Sequence, residues 1–127
     1  MQSLIISQEK WENIPEVKVA TDKNKSLFTR EVGNMTLINV QYWVTKDAIV
    51  KILSASVFRA GFEIYNHSAH TIYIGVTDSV DLLKMIGRPV TPNSPFSSAS
   101  YQGDLYCVAD DSVLLGSVDV RVWEEQL

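Results

Sequence analysis

The feature that most constrains this chain is strict two-residue alternation. Over residues 117–124, Val118, Val120 and Val122 alternate with Asp119, Arg121 and Trp123. Successive side chains of an extended strand point to opposite faces, so this segment reads as a strand with one buried and one solvated side. Residues 35–44 repeat the pattern, with Ile38, Val40, Tyr42 and Val44 on one side and Asn39 and Gln41 on the other. The stretches 95–99 and 105–109 are shorter strand candidates. Val, Ile and Thr make up a quarter of the chain, and alanine is scarce, which is a strand-forming composition.

Residues 61–75 read as a hairpin. Phe62 and Ile64 alternate on one strand, Ile72 and Ile74 on the next, and the polar run Asn66-His67-Ser68-Ala69-His70 lies between them. Residues directly opposite in an antiparallel pair point the same way, so one shared core face requires a register such as Ile64 opposite Ile72. The same register sends Tyr65, Tyr73 and Glu63 outward. One helix is expected at residues 78–87: Asp78 or Ser79 caps its start, Gly87 ends it, and Pro89 prevents continuation.

The first 30 residues are read as a separate, partly extended arm. Residues 4–6 are a candidate edge strand, and the polar, lysine-rich stretch 16–26 reads as a loop or arm. Residues 31–127 then form a single β domain. The fold expected is mainly β, an antiparallel β-sandwich or small β-barrel of about seven or eight strands with at most one short helix. A chain of 127 residues has room for one such core and not for two.

Composition narrows the function. Hydrophobic residues at 46% with 20% charged argue for a folded globule, and apolar runs of only a few residues exclude a membrane-spanning helix. The opening residues lack the pattern of a secretory signal, and the single cysteine, Cys107, cannot form an internal disulfide; synthesis in a reducing cytoplasm is expected. The net charge is −4, with the acidic excess confined to the second half. An acidic chain without a basic stripe is a poor nucleic-acid binder, because neutralising phosphates supplies most of that affinity.

No catalytic constellation stands out. His67 and His70 sit three apart, but the alternation around them places both in a hairpin tip, with no further ligand beside them for a metal. Asp104, Asp110 and Asp111 fit turns, and Cys107 lies between apolar neighbours that suppress thiolate formation. Asn66-His67-Ser68 matches the glycosylation acceptor pattern, which a chain rich in Ser and Thr also meets by chance. No phosphate loop, dinucleotide fingerprint or nucleophile elbow occurs. The expectation is a chain with no catalytic residue, metal or cofactor. Its candidate contact residues are the outward Tyr65, Tyr73, Trp123, Glu63 and Arg121, since tyrosine and tryptophan anchor interfaces and also form platforms for sugars.

The run Phe62-Glu63-Ile64-Tyr65-Asn66-His67-Ser68-Ala69-His70-Thr71-Ile72-Tyr73-Ile74-Gly75 resembles a hairpin of small virion structural proteins of tailed bacteriophages. There an aromatic-Asn-x-Ser turn precedes an Ile/Leu-Tyr-Ile/Leu-Gly strand. The resemblance continues through Gly87-Arg88-Pro89-Val90 and Tyr101-Gln102-Gly103-Asp104-Leu105-Tyr106-Cys107-Val108, and closes with Val118-Asp119-Val120-Arg121-Val122-Trp123-Glu124. It departs from the pattern at residues 77–86, where a helix replaces a short turn. The resemblance implies a β domain that decorates a head, neck or tail, with no catalytic residues. On that basis the expected function is capsid decoration or cement. The chain would be assembled in the host cytoplasm and carried in the virion as a homo-oligomer, a trimer by capsid symmetry. It would bind the major capsid protein or other virion proteins, with no nucleic acid or membrane as partner. The alternatives are a tail or baseplate adhesin that holds host glycans with its outer aromatics, and a small metal-dependent enzyme built on His67, His70 and the aspartates.

Overall fold

The computed structural model describes residues 16–22, 25–33 and 35–127. The strand candidate at residues 4–6 lies outside them. Ten strands are described: β1 (Glu16–Asp22), β2 (Lys25–Val32), β3 (Met35–Val44), β4 (Val50–Leu53), β5 (Arg59–His67), β6 (Ile72–Gly75), β7 (Arg88–Val90), β8 (Ser94–Ser98), β9 (Leu105–Ala109) and β10 (Val118–Gln126). One helix, α1 (Val80–Ile86), lies between β6 and β7. The molecule is mainly β with one short helix, as its alternation requires.

The strands form two antiparallel sheets, ordered β1-β2-β3-β10-β5-β8 and β4-β9-β6-β7. Sequence neighbours from β3 onward mostly belong to different sheets, and the strand order β3-β10-β5-β8 over β4-β9-β6-β7 is that of a jelly roll. The sheets are open, so the result is a sandwich and not a closed barrel. Between them lie Val44, Ile64 and Val120 of the larger sheet and Ile52, Ile72 and Cys107 of the smaller, each at most 1% exposed. Because β3, β5 and β10 each pass through the middle of a sheet, their inward positions are all aliphatic or aromatic until the strand ends.

Residues 61–75 are not a hairpin. Ile64 of β5 pairs with Val122 and Phe96, whereas Ile72 of β6 pairs with Val90 and Ala109 in the other sheet. The alternation correctly places both apolar pairs inward, but they meet across the core and not along a ladder. At the crossing stands Asn66, fully buried near the end of β5. Its Nδ2 donates to the carbonyls of His70 (2.6 Å), Val90 (2.9 Å) and Thr91 (3.1 Å), while Ser68 Oγ lies 2.7 Å from its Oδ1. A buried amide must satisfy its hydrogen-bonding groups, and here it does so with carbonyls that flank the crossing from one sheet to the other. The Asn-x-Ser pattern is therefore a structural corner.

The stretch at 16–26 also differs from the loop or arm expected. Its backbone forms β1 and the start of β2, paired antiparallel from Glu16 opposite Arg30 to Asp22 opposite Lys25. This hairpin joins the sheet through β2 and β3, where Gly33 turns the chain at φ 64°. A polar composition does not prevent an edge strand, because the ladder is made by backbone groups and one edge faces water.

The sandwich interior is closed at the start of β5 by Arg59, 3% exposed. Strict alternation would turn this residue outward. The register of β5 against β10 shifts between the pairs Glu125 with Gly61 and Gln126 with Arg59, leaving Ala60 as an extra residue that reverses the parity. The guanidinium then donates from Nε to Glu124 Oε2 (2.8 Å), from Nη1 to the carbonyls of Gly103 (3.0 Å) and Tyr101 (3.3 Å), and from Nη2 to the Ser54 carbonyl. One side chain thus joins β5 to the nearby Ser54 and to two segments distant in sequence, at 101–103 and at Glu124.

Candidate functional site

The two outer faces of the sandwich differ. On the larger sheet, register sets outward residues side by side in rows across the strands. Trp123 of β10 lies between Asn39 of β3 and Glu63 of β5, with Phe28 of β2 beyond Asn39. In the next row Arg121 lies between Gln41 and Tyr65. Neighbouring strands are about 4.8 Å apart, so these seven side chains form one continuous surface. They line a groove of about 430 Å³.

Its electrostatics are muted. Arg121 is held by Asp119, two residues along the same strand, through Nε to Oδ1 (3.3 Å) and Nη2 to Oδ2 (3.0 Å), which raises its already high pKa. The Trp123 indole N–H donates to Glu125 Oε2 at 3.1 Å. The Tyr65 ring leans on His67, centroids 5.9 Å apart. The side chains of Asn39, Gln41 and Glu63 make no hydrogen bond to another described residue.

The structure thus brings together four of the five outward residues singled out from sequence: Glu63, Tyr65, Arg121 and Trp123. Tyr73 lies apart from them, on the outer face of the smaller sheet, opposite Val108 of β9 and Pro89 of β7. Its hydroxyl donates to Asp110 Oδ1 at 3.1 Å. The carboxylate pushes the Tyr73 phenol above its ordinary pKa. The Asp110 carboxyl is held below the usual range, chiefly by the hydroxyl and backbone N–H of Ser112. Asn39, Gln41 and Phe28 were missed as site residues. The alternation of β3 already marked Asn39 and Gln41 as outward, but only the pairing of β3 with β10 places them beside Trp123.

Helix α1 packs on the outer face of the smaller sheet, against β6 and β9. Ser79 caps it, its Oγ accepting from Leu82 N at 3.3 Å, and Leu83 is the one residue of the helix that is fully buried. Leu83 Cδ1 fills the space above Gly75, where an added Cβ would stand 2.8 Å away. Lys84 ties the helix to the loops beside it, donating to the Lys46 carbonyl (2.7 Å) and pairing with Asp111 (2.6 Å). Val80 is half-buried, while Leu82, Met85 and Ile86 point away at 46%, 75% and 71% exposed, and Val76 before the helix is also exposed.

The histidines part company. His67 stays on the outer face of the larger sheet beside Tyr65, while His70 Nδ1 lies 3.0 Å from Ser112 Oγ in the loop after β9. Among the described residues no three His, Cys, Asp or Glu side chains gather closely enough to hold a metal ion. Cys107 is buried, and desolvation pushes its thiol well above the ordinary pKa. Among the described residues no helix is long and apolar enough to cross a membrane.

No family model matches the chain, and no curated protein matches it. Among solved structures, it is similar to an HTH_3 family transcriptional regulator from Vibrio cholerae, at 7% identity and a TM-score of 0.43, covering 79% of this chain and 50% of that one. It is also similar to hydroxypropylphosphonic acid epoxidase from S. wedmorenis, at 8% identity and a TM-score of 0.49, covering 94% of this chain and 58% of that one. The chain spans half to three fifths of the length of these structures. Likeness at this level carries no statement about activity.

Proposed function

We propose that this chain is a bacteriophage virion structural protein, a capsid decoration or cement protein that binds the head shell through protein–protein contacts and acts as a homo-oligomer. The observation that supports the reading is a helix with its apolar side turned outward. A surface helix ordinarily buries its apolar stripe against its own core. In α1 Leu83 is buried and Val80, one turn before it, is half-buried, whereas Leu82, Met85 and Ile86 face solvent at helical neighbours' spacing. Such a patch marks a contact surface. Through Lys84 and Asp111 it is tied to the loop that carries Leu114 and Leu115, both strongly exposed. The order of the segments at 62–75, 87–90, 101–108 and 118–124, which resembles small phage structural proteins, supplies the class of partner. A jelly roll serves capsid, lectin and other roles alike, so the choice rests on the surface and not on the fold.

The test is reconstitution. Heads lacking this chain are mixed with purified protein, wild type or Met85→Glu/Ile86→Glu, and the bound fraction is measured after sedimentation. Saturable binding by wild type and roughly tenfold weaker binding by the variant are expected. Equal binding by both, or absence of the chain from purified particles by mass spectrometry, overturns the reading.

A further inference from the structure

We infer that the groove on the outer face of the larger sheet is a binding site for a neutral saccharide. This goes beyond the proposed function and uses the opposite side of the molecule from α1. The argument starts from what the groove offers. Trp123 and Phe28 present partly exposed ring surface, and Tyr65 adds a third ring in the adjoining row. Between the rings stand a carboxamide on each of two rows, Asn39 and Gln41, and the carboxylate of Glu63, none hydrogen-bonded to another described residue. A pyranose has the complementary surface: C–H faces that stack on aromatic rings, and a rim of hydroxyls that both donate and accept. Carboxamides answer such hydroxyls in both senses, and a carboxylate accepts from them.

Charge excludes the main rivals among small ligands. The cation that lines the groove, Arg121, is already paired with Asp119, and Glu63 adds a carboxylate beside it. Among the described residues that line the groove, a phosphorylated or sulfated ligand would meet the Glu63 carboxylate and no cation other than the paired Arg121. A nucleotide is disfavoured for the same reason. Geometry bears on peptides. The groove spans β2, β3, β10 and β5, each already paired on both sides, so no strand edge is available to an extended chain. Recognition therefore falls to side chains. The volume, about 430 Å³, lies in the range of small-molecule sites, roughly 300–1,000 Å³, and suits a short oligosaccharide.

The site stands on a rigid base. The backbones beneath it belong to the central strands of the sheet, with Val40, Ile64 and Val122 buried on the other side. Side chains held on such strands are preorganised, which lowers the ordering cost of binding.

The full chain, labelled with ¹⁵N, is titrated with neutral hexose and N-acetylhexosamine oligosaccharides chosen from a glycan array. Expected is at least one binder that moves the Trp123 indole signal and the side-chain amide signals of Asn39 and Gln41. Trp123→Ala and Gln41→Ala each weaken it roughly tenfold or more. Trp123→Phe retains binding, which separates loss of the ring from loss of the fold. Met85→Glu, on the opposite face, leaves the affinity unchanged. The inference is overturned if no neutral saccharide binds at millimolar concentration, if Trp123→Ala binds as well as wild type, or if the shifts map to α1. It is also overturned if Trp123→Ala alters only the sedimentation coefficient, which would make the groove an interface between protein chains. None of these outcomes bears on binding to heads, which the helix variants test separately.

Discussion

Two buried polar side chains organise much of the chain path at the scale of the residue. Asn66 carries the crossing between sheets, and Arg59 joins Ser54, Tyr101, Gly103 and Glu124. Both sit on β5, one at each end, and both use backbone carbonyls that would otherwise be desolvated without partners. Leaving one member of a buried ion pair alone is costly, because the remaining charge keeps its desolvation penalty. Arg59→Ala is therefore expected to destabilise the fold by about 3–5 kcal/mol, read as a lower urea midpoint at an unchanged slope. A loss below about 1 kcal/mol would mean that Glu124 and the carbonyls find water instead, and that the clamp is not structural. Neither residue is marked by its neighbours in sequence. Asn66 looks like any loop asparagine, and Arg59 falls on the outward parity until the extra residue Ala60 is known.

Helix α1 is the element in which local signals and tertiary role diverge most. Its start and end follow from Ser79, Gly87 and Pro89, and the structure places them as the sequence indicates. What the sequence does not reveal is which of the helix's five apolar residues the protein keeps for itself. Seven residues are too few to form a stable helix alone, so packing must hold it. The holding contact is Leu83 above Gly75, supported by Lys84. Leu83→Ala removes that contact and is expected to cost about 2–5 kcal/mol at this site. Amide exchange over Val80–Ile86 should then accelerate while β9 and β10 stay protected, since the helix lies outside the core between the sheets. Uniform exchange across α1 and the sheets would show that the helix is part of the core's cooperative unit.

At the scale of the whole molecule, eight of the ten described strands, β3 to β10, wind between two sheets so that nearly every ladder among them joins residues far apart in sequence. Cys107 reports on that arrangement. It is fully buried on β9, between the sheets, with a thiol disfavoured from ionising. In the native chain it should resist a thiol reagent until the sheets separate, so its labelling rate should follow global unfolding and rise with urea in step with the loss of sheet signal. Fast labelling in native buffer would indicate that the sandwich opens by a cheaper local route. The alternation of valines, isoleucines and aromatics was sufficient for the class of fold, because burying one face of each strand is a local requirement that period two satisfies. It also placed Glu63, Tyr65, Arg121, Trp123 and Tyr73 on outward faces. It could not say that Ile64 and Ile72 belong to different sheets, because side-chain direction is the same whether two inward residues pair along a ladder or meet across a core. Sheet membership decided which outward residues share a surface, and so assembled Trp123, Asn39 and Gln41 while sending Tyr73 elsewhere. The pattern of the chain determined what is inside; only long-range pairing, set by a bulge at Ala60 and a corner at Asn66, determined what stands beside what.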